Sequence, residues 1–329
     1  MSIPGWIDLQ VNGYNGVNFS DPNLSLADIE KVNTQLFELG TIGYCPTIIS
    51  SSLEVYRHNL LLISKAIESQ EKGAKILGVH LEGPFLNPID GYRGIHRKEN
   101  IILPSIEIYE KFRSWAQNNV AIITIAPELP GALKLIKHAV RNVVISIGHS
   151  NAGKEIIQKA ANLGVQAATH IGNGLPDMIP RHENNIWPIL AEDDIHGFFI
   201  TDGFHLPEEV IKTCLRAKKV SKFIVTSDLT HLAGQNPGNY TFNDIPVVLE
   251  PNRHLHCQDS SQLAGSASSM MECMNYLASI GELSEGELYQ VGYENPLRLL
   301  NIDVNNIDFP KETNIIFQKN EFSIKSNIA

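Results

Sequence analysis

The chain has 329 residues, 43% of them apolar and 19% charged, with no low-complexity tract, which suits one main domain with a large buried core and argues against disorder. A net charge of −10 lacks the basic footprint of a nucleic-acid binder. Cys45, Cys214, Cys257 and Cys273 show no paired spacing and read as free thiols, and the N-terminus MSIPGWIDLQ shows no signal peptide and the chain no membrane-spanning run, so a cytoplasmic protein is expected.

Apolar runs of strand length recur along the chain. They fall near Trp6 to Gln10, Ile42 to Ile49, Lys75 to Leu81, Ala121 to Ala126, Val143 to Gly148, Val165 to His170, Ile195 to Thr201 and Phe223 to Thr226. The runs are continuous and rich in Ile and Val, as in parallel strands buried on both faces. Between them, helical periodicity covers Leu53 to Gln70, Ser105 to Asn118, Asn151 to Leu163 and Pro207 to Ala217, with Asn151 an expected N-cap and Pro207 an expected first-turn residue. Eight such repeats predict an α/β fold, a (β/α)8 TIM barrel. After the eighth strand, residues 235–262 carry turn signals at Pro237-Gly238 and Pro251-Asn252 and read as a β-hairpin insertion. Ala264 to Ile280 and Ser284 to Val291 look helical, and the tail offers two short strand-like pieces, NIIFQ and FSIKS. We divide the chain into a barrel domain, 1–310, and a short strand-like tail, 311–329, whose small sheet would lack an N-terminal partner.

Barrel enzymes place their working residues just past the carboxyl ends of the strands. Polar residues here follow that rule: Gln10 and Asn12 end strand one, Glu82 strand three, Glu128 lies past strand four, and His149, His170, Asp202 with His205, and Asp228 follow strands five to eight. Glu82, His149 and His170 form a three-ligand set for a divalent zinc or iron ion, with one position left for water. Asp228 is the carboxylate that carries the proton from water to leaving group. No Ser or Cys nucleophile sits in a recognisable elbow, so direct hydrolysis of an amide is expected. His96 is read as polarising a substrate carbonyl or as solvated, and His80, two residues before Glu82, as a supporting or a buried structural residue. His196 is read as structural, Cys45 as core, His231 as a rim residue, and His58, His138, His254 and His256 as exposed.

With PGWIDLQVNG at 4–13, GVHLEGPFLN at 78–87, GIH at 94–96, IGHSNA at 147–152, THIGNG at 169–174, TDGFH at 201–205, VTSDLTHLAG at 225–234, LAGSASSMM at 263–271 and ENPLRLL at 294–300, the chain resembles the N-acetylglucosamine-6-phosphate deacetylases of the amidohydrolase superfamily. Many amidohydrolases carry an HxH metal pair at the end of strand one; Gln10 and Asn12 hold those places here, which implies a one-metal member. The resemblance implies that Glu82, His149 and His170 bind one divalent metal ion per subunit, zinc or iron. It makes Asp228 the general base and then acid, and His96 the residue that polarises the acetyl carbonyl. It places His205 and the backbone amides of Asn173 and Gly174 on the sugar phosphate, and Arg181 in the neighbouring subunit's site. Gln10 and Asn12 are expected among the substrate-binding residues. The implied protein is a homodimer acting on a small amino sugar phosphate, with its small β-sandwich domain truncated or absent. Alternative expectations are deacetylation of N-acetylgalactosamine 6-phosphate or an unphosphorylated N-acyl compound, or a non-catalytic sugar-binding barrel.

Overall fold

A computed structural model describes residues 2–260, 262–303, 309 and 315–324. All eight expected strands form, as one parallel sheet whose hydrogen-bonded order follows the chain: β1 (Trp6–Val11), β2 (Thr41–Ile49), β3 (Val79–Glu82), β4 (Val120–Ile125), β5 (Val144–Ile147), β6 (Ala167–Ala168), β7 (His196–Phe199) and β8 (Phe223–Val225). Strand three starts later than expected because Gly78, at φ 125°, separates Lys75–Ile76 from Val79–Glu82. The sheet nearly closes into a barrel at the seam between β1 and β8. There Val11 bridges Leu229 in parallel, the Asn12 amide donates to the Leu229 carbonyl at 2.7 Å, and Thr226 Oγ1 donates to Asp8 Oδ1 at 2.8 Å.

Helices cover the outside: α1 (Leu26–Glu38), α2 (Leu53–Ser69), α3 (Ile106–Trp115), α4 (Ala132–Ala139), α5 (Lys154–Asn162), α6 (Ile186–Ala191), α7 (Glu208–Lys222) and α8 (Met270–Ile280). Their buried faces are set by sequence spacing. In α2, Tyr56, Leu60 and Ile63 recur three to four residues apart and all are buried, while Ser52 caps the start by accepting the Val55 amide. The barrel interior is packed by Ile7, Leu9, Ile42, Cys45, Ile122, Val144, Ala167, Phe198 and Ile224, and Tyr293, Leu297 and Leu299 extend that cluster. Reactive side chains are thereby confined to the other end of the barrel, where the lining turns polar.

Several expectations need correction. Asn151 does not cap α5, which begins at Lys154 after Gly153; the Asn151 backbone amide instead donates to Glu128 Oε1 at 2.6 Å. Pro207 occupies the cap position, with helix from Glu208. Residues 264–269 are not helical, because Ser266 bridges Leu229 and Gly265 takes φ 69°, so α8 starts only at Met270. The insertion forms a three-stranded antiparallel sheet, β9 (Gly238–Phe242), β10 (Ile245–Leu249) and β11 (Leu255–Cys257). The two tail strands, β12 (Ile315–Gln318) and β13 (Glu321–Ile324), do have an N-terminal partner: Ser2–Ile3 pairs antiparallel with β12. Phe322 of β13 packs edge-on against Trp6 of β1 at 4.8 Å between ring centroids, tying this sheet to the barrel. The domain boundary expected at 310/311 lies outside the described residues.

Candidate active site

A cavity of about 330 Å³ opens at the carboxyl ends of the strands, lined by Glu82, His149, His170, Asp228, His96, His205, Asn12, Asn173 and Gly174 among others. Glu82, the last residue of β3, is buried, and its Oε1 lies 2.8 Å from His170 Nε2 and 3.2 Å from His149 Nε2. The two Nε2 atoms are 3.1 Å apart, and the three candidate ligand atoms all lie within 4.8 Å of one another.

The hydrogen-bonding state of each ring decides what this convergence means. His149 Nδ1 lies 2.7 Å from the Tyr92 carbonyl, which can only accept, so Nδ1 carries the proton and Nε2 presents a lone pair. That lone pair faces a carboxylate oxygen and a second imidazole nitrogen. Such electron-rich atoms stay this close only with a proton or cation among them, and two imidazoles with one carboxylate form a donor set suited to a zinc or iron ion. Burial alone would raise the Glu82 pKa, but the close approach of the His149 and His170 imidazoles holds it well below the usual range. Burial would lower that of His170, but the Glu82 carboxylate outweighs it and raises the value.

Glycines fix the His149 ring. A Cβ on Gly174, which has φ 63°, would stand 2.9 Å from His149 Nδ1, and one on Gly94 would stand 3.1 Å from Cε1. Only residues without side chains let both loops close on the imidazole.

Asp228 follows β8. Its Oδ1 accepts from Gln10 Nε2 at 2.9 Å and Asn12 Nδ2 at 2.7 Å, which leaves Oδ2 for proton exchange. Burial and the nearby Glu82 charge push its pKa up to about 7, so it can take and release a proton near neutrality. Gln10 also donates to Glu82 Oε1 at 2.9 Å; it is wholly buried and holds two carboxylates in place from behind, whereas Asn12 reaches the cavity wall. His96 is buried, not solvated. Ser50 explains its tautomer: the Ser50 amide donates to His96 Nδ1 at 3.3 Å, so the neutral ring carries its proton on Nε2, 3.7 Å from Glu82 Oε2. Burial and the neighbouring His149 push the His96 pKa down to about 3, which keeps the ring neutral.

The remaining expected residues divide. His205 faces the cavity with Nδ1 tied to Asp202 Oδ2 at 2.8 Å, and Asn173 and Gly174 lie on the same wall. Arg181 is exposed and is not among the residues lining its own chain's cavity. His80 uses both nitrogens beneath the site, toward the Leu9 carbonyl at 2.9 Å and Thr124 Oγ1 at 2.8 Å, and so braces the barrel. Glu128 ties loops together by accepting from Asn87, Ser150 and Asn151. His254, expected to be exposed, lines the cavity instead, together with Phe242 of the same inserted sheet. Sequence reasoning also missed Ser50, Phe204 and the Tyr92 carbonyl. Phe204 had a signal in its place beside His205; a backbone carbonyl has none.

A parallel barrel that gathers two imidazoles and two carboxylates at its mouth has the fold and the donor set of a metal-dependent hydrolase of the amidohydrolase type. No family model matches the chain. It is 29% identical over 304 residues to the N-acetylglucosamine-6-phosphate deacetylase of Bacillus subtilis, covering 91% of this chain and 75% of that protein. It is 28% identical over 306 residues to an N-acetylgalactosamine-6-phosphate deacetylase of a Shewanella species, covering 91% and 74%. The crystal structure of the N-acetylglucosamine-6-phosphate deacetylase from Pasteurella multocida superposes with a TM-score of 0.85 at 26% identity, over 98% of this chain and 83% of that one. Over most of its length the chain is thus similar to N-acetylglucosamine-6-phosphate deacetylases, in sequence and in fold.

Proposed function

We propose that this protein removes the acetyl group from N-acetylglucosamine 6-phosphate, giving glucosamine 6-phosphate and acetate. The observation that carries this reading is the convergence of Glu82, His149 and His170 on one point, with Asp228 and His96 facing the same space. Glu82, His149 and His170 would hold a divalent cation, zinc in our reading, which when bound would supply Lewis-acid polarisation of the amide and ease deprotonation of water. His96 donates its Nε2 proton to the acetyl oxygen, and that hydrogen bond strengthens as the oxygen becomes an oxyanion. Asp228 Oδ2 accepts the proton of the attacking water, then returns it to the amine nitrogen as the C–N bond breaks. Gln10 and Asn12 keep the other Asp228 oxygen still through both transfers.

In this reading His205, the Gly174 amide and the Asn173 side chain, whose Nδ2 has no partner among the described residues, take the phosphate, because the Asn173 backbone amide, expected in that role, already donates to the His170 carbonyl at 2.9 Å. Arg181, outside its own cavity, serves the neighbouring subunit of a homodimer in the cytoplasm. Acetate release from N-acetylglucosamine 6-phosphate by metal-loaded protein tests the activity; a preparation holding one metal ion per chain yet releasing no acetate overturns it. A second reading, deacetylation of the galactosamine epimer, is favoured by the Shewanella relative, whose identity is nearly the same. Comparing kcat/KM for the two epimers separates them.

A further inference from the structure

The cavity floor is acidic, from Glu82 and Asp228, and among its described lining residues there is no lysine or arginine. An anionic substrate must find its donors on this chain from imidazoles and neutral groups, the side-chain amides, hydroxyls and backbone amides of the wall. His205 is one such imidazole, and His254 is a second on the same cavity wall.

We propose that His254 is a substrate-binding residue that, with His205, holds the anionic group of the substrate. The inference rests on the sugar-phosphate deacetylase reading and deepens it. His254 comes from the turn between β10 and β11, where Arg253 takes φ 72° and the Glu250 amide donates to the His254 carbonyl at 2.9 Å. Its ring stacks on Phe204, with centroids 5.1 Å apart and planes 19° off parallel. Phe204 and His205 are themselves fixed by Asp202 Oδ1, which accepts both backbone amides at 2.9 Å. Asp202 therefore sets the position of both imidazoles, one directly and one through the stack.

The neighbouring His256 shows what a structural histidine looks like in this sheet. Its ring nitrogens lie 2.9 Å from the Cys257 carbonyl and 3.3 Å from Glu250 Oε1. Neither ring nitrogen of His254 has a hydrogen-bond partner among the described residues. Its plane is held by ring contacts with Phe204 and His256, and it lines the cavity with both nitrogens uncommitted among the described residues, the arrangement of a group that can donate to a ligand.

The test uses the full-length, metal-loaded protein with His254→Phe, which keeps the stack and removes the donor, and His254→Gln, which keeps a donor. His254→Phe should raise KM for N-acetylglucosamine 6-phosphate about tenfold, the scale of one hydrogen bond to a charged group. The change should fall on KM rather than kcat, weaken inhibition by inorganic phosphate in parallel, and be much smaller for unphosphorylated N-acetylglucosamine. His254→Gln should recover most of the loss. Equal losses on phosphorylated and plain sugars, or a His254→Phe protein that matches wild type, overturn the inference. Wild-type protein that releases no acetate from either phosphorylated epimer overturns the deacetylase reading instead.

Discussion

His149, His170 and Asp228 share a backbone feature that no residue type announces: φ is 50°, 29° and 53°, in the left-handed region. For residues other than glycine this costs about 1–3 kcal/mol each. The turn it makes carries each side chain over the barrel mouth. The strain is locked in because each residue's carbonyl is caught, by the amides of Asn87 at 3.0 Å, Asn173 at 2.9 Å and Ser266 at 3.0 Å. Sequence revealed these residues because acid and imidazole groups recurred at strand ends. It could not reveal the tautomers, which depend on the Tyr92 carbonyl and the Ser50 amide, groups present in every sequence. Asp228→Asn keeps an acceptor for Gln10 and Asn12 but cannot carry the proton, so kcat should fall by about 10² to 10⁴, with metal content unchanged by elemental analysis; loss of metal would make Asp228 a ligand. Gly174→Ala puts a methyl against the His149 ring at an unfavourable φ. Metal occupancy should drop in that variant, and full occupancy would show that the loop yields instead.

At the level of elements, the strands were legible because buried parallel strands are written as unbroken apolar runs. Helices were less so. The α1 start carries a capping box, Ser25 with Asp28, but α1 lies outside the four helical stretches that periodicity predicts, while the short α6 offers too few turns for periodicity. The insertion was visible as turns and strands, but its destination was not, since docking depends on contacts far along the chain. Its tip, Asn243–Asp244, has positive φ at both residues, 50° and 64°, as a tight hairpin requires. Asn243 Nδ2 donates to the Ile95 carbonyl at 3.2 Å, and Asp244 pairs with Arg97. These contacts clasp the loop on either side of His96. An exposed ion pair contributes only about 0–1 kcal/mol to stability, so the clasp acts on position rather than on folding. Replacing Asn243 and Asp244 together by Gly, which keeps the positive φ and removes both contacts, should lower kcat about threefold to tenfold, with the melting temperature nearly unchanged. An unaltered kcat would mean that the loop holds His96 without help.

Across the whole molecule, closure is what brings the site together. Asp8 of β1 accepts from Thr226 and Ser227 just past β8, joining the first and last strands of the barrel. A buried carboxylate at that seam was unremarkable in sequence, and the pairing of Ser2–Ile3 with β12 was invisible, because two residues carry no periodicity. With the barrel closed, the donors from the ends of β3, β5 and β6 point at one spot although 88 residues separate Glu82 from His170. Any ion bound there spans three strands, so its binding free energy adds to the stability of the folded chain. At a free concentration of 100 times Kd the gain is about 2.7 kcal/mol. Dialysis against a chelator should therefore abolish acetate release and lower the melting temperature, and adding zinc should restore both. The Asp228→Asn variant should show the same metal-dependent gap in melting temperature as wild type, because it keeps all three ligands. Glu82→Gln should lose most of that gap. If chelation stops turnover but leaves wild type and Glu82→Gln melting alike with and without zinc, the ion is not held by these three strands.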